Sequence, residues 1–179
     1  MKFSPTQLDG VVLIEAIPVG DDRGWFSRHY CPVEFETAGI DFTPCQISQS
    51  FNAAAATLRG LHYQDPPHSE AKLVRCLRGA VWDVGVDIRP DSPTRHQWLG
   101  VELRPEFRLA VLWPKGFAHG FITLEPNSEL LYITDYSWTH EAEGGLRWND
   151  PALGISWPLE PDVLSDRDSA HPLLGRHEE

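Results

Sequence analysis

Cationic side chains are scarce in this chain. Its 179 residues hold 15 Lys and Arg against 26 Asp and Glu, a formal net charge of −11. Such a balance argues against a nucleic-acid partner and against an anionic membrane surface, because both demand clustered positive charge. If the ligand is itself an anion, its site must be locally basic against that background. Cysteine is also scarce. Cys31, Cys45 and Cys76 are odd in number and lack the paired spacing of a metal site, so reduced thiols in a cytoplasmic protein are the simplest expectation. No apolar run approaches the length of a membrane span, and Met1-Lys2-Phe3-Ser4-Pro5 does not read as a signal peptide. Internal repeats, low-complexity tracts and linkers are absent.

What the chain does contain is ordinary for a globular protein, 41% hydrophobic and 23% charged residues. Its length suits one domain, residues 1–179, with an N-terminal strand extension and a turn-rich C-terminal tail. Short strands punctuated by Gly and Pro follow one another: residues 11–19, 45–52, 72–77, 80–88, 97–103, 109–113, 117–123 and 129–134. Residues 72–77 and 80–88 read as a hairpin turning near Gly79. Residues 32–38 are the best helix, with Pro32 in the first turn and Gly39 as the stop. Many short strands at regular spacing predict an all-β fold, a jelly-roll barrel or sandwich with a few short peripheral helices. A tail such as residues 149–158 should pack outside the barrel.

The chemistry is expected around Thr57-Leu58-Arg59-Gly60-Leu61-His62-Tyr63-Gln64. Alternate side chains on a strand share a face, so His62 and Gln64 should point the same way. A lone imidazole on a strand proves little, since most are structural or merely exposed. The segment Gln46-Ile47-Ser48-Gln49-Ser50-Phe51-Asn52 sets polar groups at alternate positions, which suits a wet pocket better than a core.

Taken in order, these motifs resemble the dTDP-4-dehydrorhamnose 3,5-epimerase family. The resemblance is carried by Arg23-Gly24-x-Phe26, Leu58 to Gln64, Lys72-Leu73-Val74-Arg75 and Val84-x-Val86-Asp87-Ile88-Arg89. Pro114-x-Gly116-Phe117-Ala118-His119-Gly120-Phe121 and Arg147-Trp148-Asn149-Asp150-Pro151 extend it over nearly the whole chain. It implies a cupin-type jelly roll and a homodimer that needs no metal or other cofactor. The implied reaction epimerises a nucleotide-linked 4-keto-6-deoxyhexose at C3 and C5, in deoxysugar (rhamnose-type) biosynthesis. By position His62 matches the family's base, Asp168 its carboxylate partner and Tyr132 its acid, while Lys72 and His119 match lining residues of the sugar pocket. Arg23 and Arg59 match arginines that contact the diphosphate. Phe26 and Gln46 are candidates for stacking on and hydrogen-bonding the base, with Trp138 a weaker stacking candidate. Three positions depart from the pattern: Arg28 replaces a glutamate near the base, Ser48 replaces an asparagine, and Ile133 replaces a common lysine. The first two leave CDP or GDP as alternative nucleotides, and inversion of C3 or C5 alone as an alternative outcome.

The implied chemistry is sound on its own terms. A proton on carbon beside a ketone is weakly acidic, and inversion needs a base on one face of the ring and a donor on the other. A histidine fixed by a carboxylate is a suitable base near neutral pH, and a phenol can return the proton. Lys72 is the candidate for steadying the enolate oxygen. Arginines suit a diphosphate because they bind its oxygens bidentately.

Other readings compete. A metal-dependent cupin usually shows two closely spaced histidines, whereas His62 is followed by Tyr63 and Gln64, with His68 next across a proline loop. A non-catalytic nucleotide-sugar-binding module and a 3,4-ketoisomerase of the same fold are the others. Asp168 by itself reads as a solvated turn or helix cap, Lys72 as a solvated strand residue, and Arg75 and Arg89 as surface charges or salt-bridge members. Trp82, Trp113 and Trp157 read as core or dimer contacts. His29, His68, His96, His140, His171 and His177 carry no signal.

Overall fold

Short apolar stretches cut by Gly and Pro turns become antiparallel strands in the computed structural model, which describes residues 1–174. In chain order the elements are β1 (Lys2–Pro5), β2 (Val12–Glu15), β3 (Val19–Asp21), β4 (Gly24–Phe26), α1 (Pro32–Thr37), β5 (Gln46–Asn52) and β6 (Leu58–Gln64). There follow β7 (Lys72–Arg78), β8 (Val81–Asp87), β9 (Trp98–Leu103), β10 (Leu109–Trp113), β11 (Phe117–Thr123), β12 (Ser128–Thr134), β13 (Glu143–Gly145) and α2 (Asp166–Ala170). A six-stranded sheet has the order β1-β2-β10-β7-β12-β5, and a five-stranded sheet the order β13-β6-β11-β8-β9. They form the two layers of a cupin-type jelly roll. Among the described residues no helix is long and apolar enough to cross a membrane. His177 lies outside those residues.

Burial organises both layers. Val74, Val111, Trp113 and Leu130 of the first sheet meet Val81 and Phe121 of the second in one buried cluster. Truncating one of these large side chains to Ala would cost about 2–5 kcal/mol, from lost transfer energy and the cavity left behind. The outer faces are covered too. Phe35 of α1 and Phe42 pack on Leu73, Ala110 and Leu112. Leu146, Leu153 and Trp157, from the segment after β13, pack on Val84, Val86 and Ala118. Covering both faces explains why every residue of β11 is buried and why that strand does not alternate with polar residues.

Two expectations fail locally. Residues 11–19 do not form one strand: β2 ends at Glu15, and Val19 begins the separate hairpin β3–β4. Pro18, between them, has no N–H to give a ladder. Nor do β7 and β8 pair as a hairpin. β7 pairs with β10 and β12, whereas β8 pairs with β9 and β11, so the turn at Gly79 carries the chain from one sheet to the other. Gly79 has φ +71° and lies so close to Ser128 that a Cβ would sit 2.4 Å from its Oγ. The Ala80 N–H donates to that same Oγ at 3.2 Å, which pins the crossing.

The charges on these strands also find definite places. Arg89 pairs with Asp87 at 2.7 Å and Asp9 at 3.2 Å. Arg75 is no surface charge: it is 8% exposed beside His29, and burial lowers its pKa to about 10.

Candidate active site

A break in strand regularity builds the centre of the site. β6 and β11 align His62 with His119 but Arg59 with Phe121, so β6 spends one extra residue between the two pairs. That bulge undoes the alternation that would send residues three apart to opposite faces. Arg59, His62 and Gln64 consequently line the same cavity, of about 310 Å³. Gly60 makes the bulge possible. Its φ is +112°, and an added Cβ would lie 2.6 Å from the Gly120 Cα and 2.7 Å from the His119 carbonyl.

Asp168 stands behind His62, 4% exposed, with Oδ1 2.7 Å from His62 Nε2. The Gly60 N–H donates to its other oxygen at 3.2 Å. The short helix α2 delivers this carboxylate. Ser165 is its N-cap and accepts the Asp168 N–H at 3.0 Å, so the capping side chain is the serine and Asp168 is neither solvated nor a cap. Burial pushes the Asp168 carboxyl up, but the His62 hydrogen bond and charge outweigh it with help from Gly60, and the pKa lies below its ordinary value. With Nε2 engaged, neutral His62 carries its proton there and keeps its lone pair on Nδ1.

His171 joins this pair. Its ring lies edge-on to His62 with centroids 5.5 Å apart, and its Nε2 is 3.5 Å from Asp168 Oδ1. Burial and the neighbouring His62 charge lower its pKa, with Asp168 pulling the other way. Among the described residues, His62, Asp168 and His171 are the one group with three potential metal-donor atoms, all within 4.8 Å of one another.

The opposite sheet supplies Tyr132 from β12 and Lys72 from β7, both lining the cavity. The Tyr132 hydroxyl is 3.0 Å from Ser50 Oγ. Burial raises its pKa well above that of a free phenol, against a smaller lowering by the Ser50 bond. Lys72 Nζ donates to the His62 carbonyl at 3.0 Å and pairs with Glu70 at 3.1 Å, leaving one of its three N–H donors unused by these contacts. His119, on β11, gives a second imidazole held by a carboxylate: Nε2 is 2.8 Å from Asp83 Oδ2, and the Trp113 indole donates to Asp83 Oδ1 at 2.7 Å.

Polar side chains line the cavity at both ends of β5. Arg59 Nε donates to Asn52 Oδ1 at 2.8 Å, which steers the guanidinium and leaves its terminal nitrogens for a ligand. Gln46, at the opposite end of β5 from Asn52, and Trp138 line the cavity too, and the Trp138 backbone N–H donates to Gln46 Oε1 at 3.2 Å. Ser48 is exposed and accepts from Gln46 Nε2 at 3.2 Å, beside the lining rather than in it. Arg23, Phe26 and Arg28 lie elsewhere. Arg23 and Phe26 belong to the β3–β4 hairpin, whose own shallow concavity they line, and Arg28 pairs with Glu34 at 2.7 Å.

Residues with no signal in the sequence complete the arrangement. Glu143 reaches the cavity because β13 pairs with β6, and Arg167 holds it in an ion pair. Asp83 acts through a partner remote in sequence, and His171, three residues after Asp168, matters only beside the distant His62, so no local spacing announces either; Ser50 belongs to the polar face read on residues 46–52. Ser165-x-x-Asp168 is readable as the start of a helix.

Comparison with known proteins follows the same outline. The family model described as dTDP-4-dehydrorhamnose 3,5-epimerase matches residues 5–176. The dTDP-4-dehydrorhamnose 3,5-epimerase of Sinorhizobium fredii is 42% identical over 176 residues, covering 97% of this chain and 90% of its own. A dTDP-6-deoxy-D-glucose-3,5-epimerase from Legionella pneumophila, solved with dTDP-4-keto-L-rhamnose, has a TM-score of 0.91 at 39% identity, over 97% of this chain and 93% of that one. A 3'-monoepimerase from Streptomyces bikiniensis in complex with dTDP-quinovose has a TM-score of 0.89 at 34% identity, over 97% and 88%.

Proposed function

The chain belongs to the dTDP-4-dehydrorhamnose 3,5-epimerase family, and on that footing we propose that it is an isomerase inverting C3 and C5 of a dTDP-linked 4-keto-6-deoxyhexose in deoxysugar biosynthesis. The observation that carries this reading is the placement of the His62–Asp168 pair and Tyr132 on different sheets around one cavity. A keto-sugar ring held between them meets an acceptor on one face and a donor on the other.

The steps follow from the groups present. His62 Nδ1 takes the proton from the carbon beside the ketone, and Asp168 stabilises the imidazolium that forms. The electron pair moves onto the ketone oxygen, where the remaining Lys72 N–H meets the developing charge. Tyr132 returns a proton to the opposite face, and its raised pKa keeps the phenol protonated at neutral pH. Arg59 takes a diphosphate oxygen, while Gln46 and Trp138 meet the base. The substrate's own ketone supplies the activation.

A homodimer is part of the proposal. Val19, Trp25 and Phe26 are 75%, 62% and 71% exposed on the hairpin, more apolar surface than a short ribbon leaves in water without a partner. Arg23 and Phe26 do not line their own chain's cavity, so their substrate roles require the hairpin to reach a second copy. Mixing His62→Ala and Arg23→Ala protomers tests this. Random pairing restores about a quarter of parental sites if Arg23 acts across the dimer, and none if it acts within its own chain. The free thiols of Cys31, Cys45 and Cys76 accord with a cytoplasmic enzyme.

The deciding experiment supplies the dTDP-linked 4-keto-6-deoxyglucose in deuterium oxide. Deuterium at both C3 and C5, with an inverted product, is expected. Uptake at one centre alone would favour the second reading, a monoepimerase, which the 3'-monoepimerase's similar fold makes concrete. Turnover only with the CDP or GDP sugar would move the nucleotide assignment, and binding without any exchange would remove the enzyme.

A further inference from the structure

The second imidazole beside Asp168 has no task in the reaction above. His171 Nε2 is buried and has no hydrogen-bond partner, although it lies 3.5 Å from Asp168 Oδ1. Its ring is firmly seated: a Cβ on Gly145 would lie 2.2 Å from the ring, and Arg147 Nε donates to the His171 carbonyl at 2.6 Å. Asp168 Oδ1 thus has two imidazole nitrogens near it, His62 Nε2 at 2.7 Å and His171 Nε2 at 3.5 Å.

We propose that His62, Asp168 and His171 form an inhibitory site for a borderline divalent cation of the zinc class. Two imidazole nitrogens and one carboxylate oxygen suit Zn2+ or Co2+ rather than Mg2+ or Ca2+. Donors around tetrahedral zinc stand about 3.3 Å apart, given bond lengths of about 2.0–2.2 Å. The two edges that meet at Asp168 Oδ1, 2.7 and 3.5 Å, bracket that spacing. The carboxylate is already oriented through its other oxygen by the Gly60 N–H, as outer-shell bonds orient metal ligands. Of the nearby cations, Arg167 is paired with Glu143 and Lys72 with Glu70, and neither forms an ion pair with Asp168 among the described residues. His62 borders the cavity, which provides the way in and leaves the fourth coordination position to water.

Inhibition follows from the tautomer. Zinc at His62 Nε2 uses the lone pair there, and the proton that nitrogen carried passes to Nδ1. The ring stays neutral, but the lone pair that accepts the substrate's proton is gone. Cation binding stands independently of the proposed function; the loss of activity rests on it.

The test uses metal-stripped full-length protein with ZnCl2, MgCl2 and CoCl2. Zn2+ should abolish epimerisation with one ion per chain, a chelator should restore it, and Mg2+ should have no effect. Co2+ should give the visible absorption of a four-coordinate ion. His171→Phe keeps the ring over Gly145, and His171→Gln serves if that variant does not fold. Either should raise the half-inhibitory Zn2+ concentration, each against its own metal-free rate, by more than the roughly 10–100-fold attached to losing an outer-shell partner. Either should also lose the Co2+ band. Cys45→Ser controls for the exposed thiol and should retain both responses. Equal inhibition of parent and His171 variants, or loss of the response in Cys45→Ser, would overturn the site. A Co2+ band that depends on His171 without inhibition by Zn2+ would keep the site and overturn His62 as the base.

Discussion

His62 and Tyr132 face one cavity from different sheets, and their surroundings differ in what they do to a proton. On the β6 flank the imidazole meets a buried carboxylate, itself fixed by Gly60 and the first turn of α2. On the β12 flank the phenol is hydrogen-bonded to the neutral Ser50 hydroxyl, and burial is the largest influence on its pKa, which it raises. In the proposed reaction one flank supplies compensating charge for a group that becomes cationic, and the other surrounds a group that stays neutral until it donates. Environment divides acceptor from donor, as it does wherever two titratable groups are tuned apart.

The largest test removes the acceptor. His62→Ala should slow solvent deuterium uptake by about 10²–10⁴-fold, the usual worth of a positioned general base. Normal exchange in that variant would reassign the base. Tyr132→Phe should break the other half. Exchange can continue by return of the proton to the original face, whereas inversion should fall by about 10²-fold. Equal epimer yields from variant and parent would remove the phenol from the mechanism.

Asp168→Asn sharpens the contrast in a second observable. It should slow exchange less than His62→Ala does, because the imidazole remains. It should also change acid stability. The folded pKa of Asp168 lies below its ordinary 3.8. The ionised carboxylate thus stabilises the fold above the unfolded value, and that contribution is lost as pH falls through the folded one. Denaturant melts should show the parent losing stability over that acid window and the Asn variant losing less. Parallel curves would mean that the pair contributes nothing to folding.

How much of this was visible in the sequence follows the same division. Strands β10 and β11 were readable to the residue because local patterning and Pro or Gly turns bound them. The crossing at Gly79 was not, because a glycine turn between two apolar runs looks the same whether the runs pair or part. In the site, His62 and Tyr132 were found through the family's motifs. The bulge that turns Arg59 and His62 to one side is a pairing property of β6 with β11, so neither strand's own sequence discloses it. His171 carries no local signal for a similar reason: its meaning depends on sharing Asp168 with a histidine on a distant strand. Arg23 and Phe26 remain legible only as motif members until a second copy gives them a cavity to enter.

The smallest expected effect is the most selective. Ser50 Oγ is bonded to the Tyr132 hydroxyl at 3.0 Å and also accepts from Asn52 Nδ2 at 3.4 Å. Ser50→Ala removes a neutral hydrogen bond, worth about 0.5–1.5 kcal/mol, or roughly a 2–10-fold change in rate. The bond lowers the phenol's pKa against the larger rise from burial, so its loss leaves Tyr132 a weaker acid and a less well aimed one. Inversion should slow by that few-fold factor while deuterium uptake through His62 stays at the parental rate, with both read from one time course in deuterium oxide. If uptake and inversion slow together, Ser50 acts on substrate placement, and the two flanks are not tuned separately.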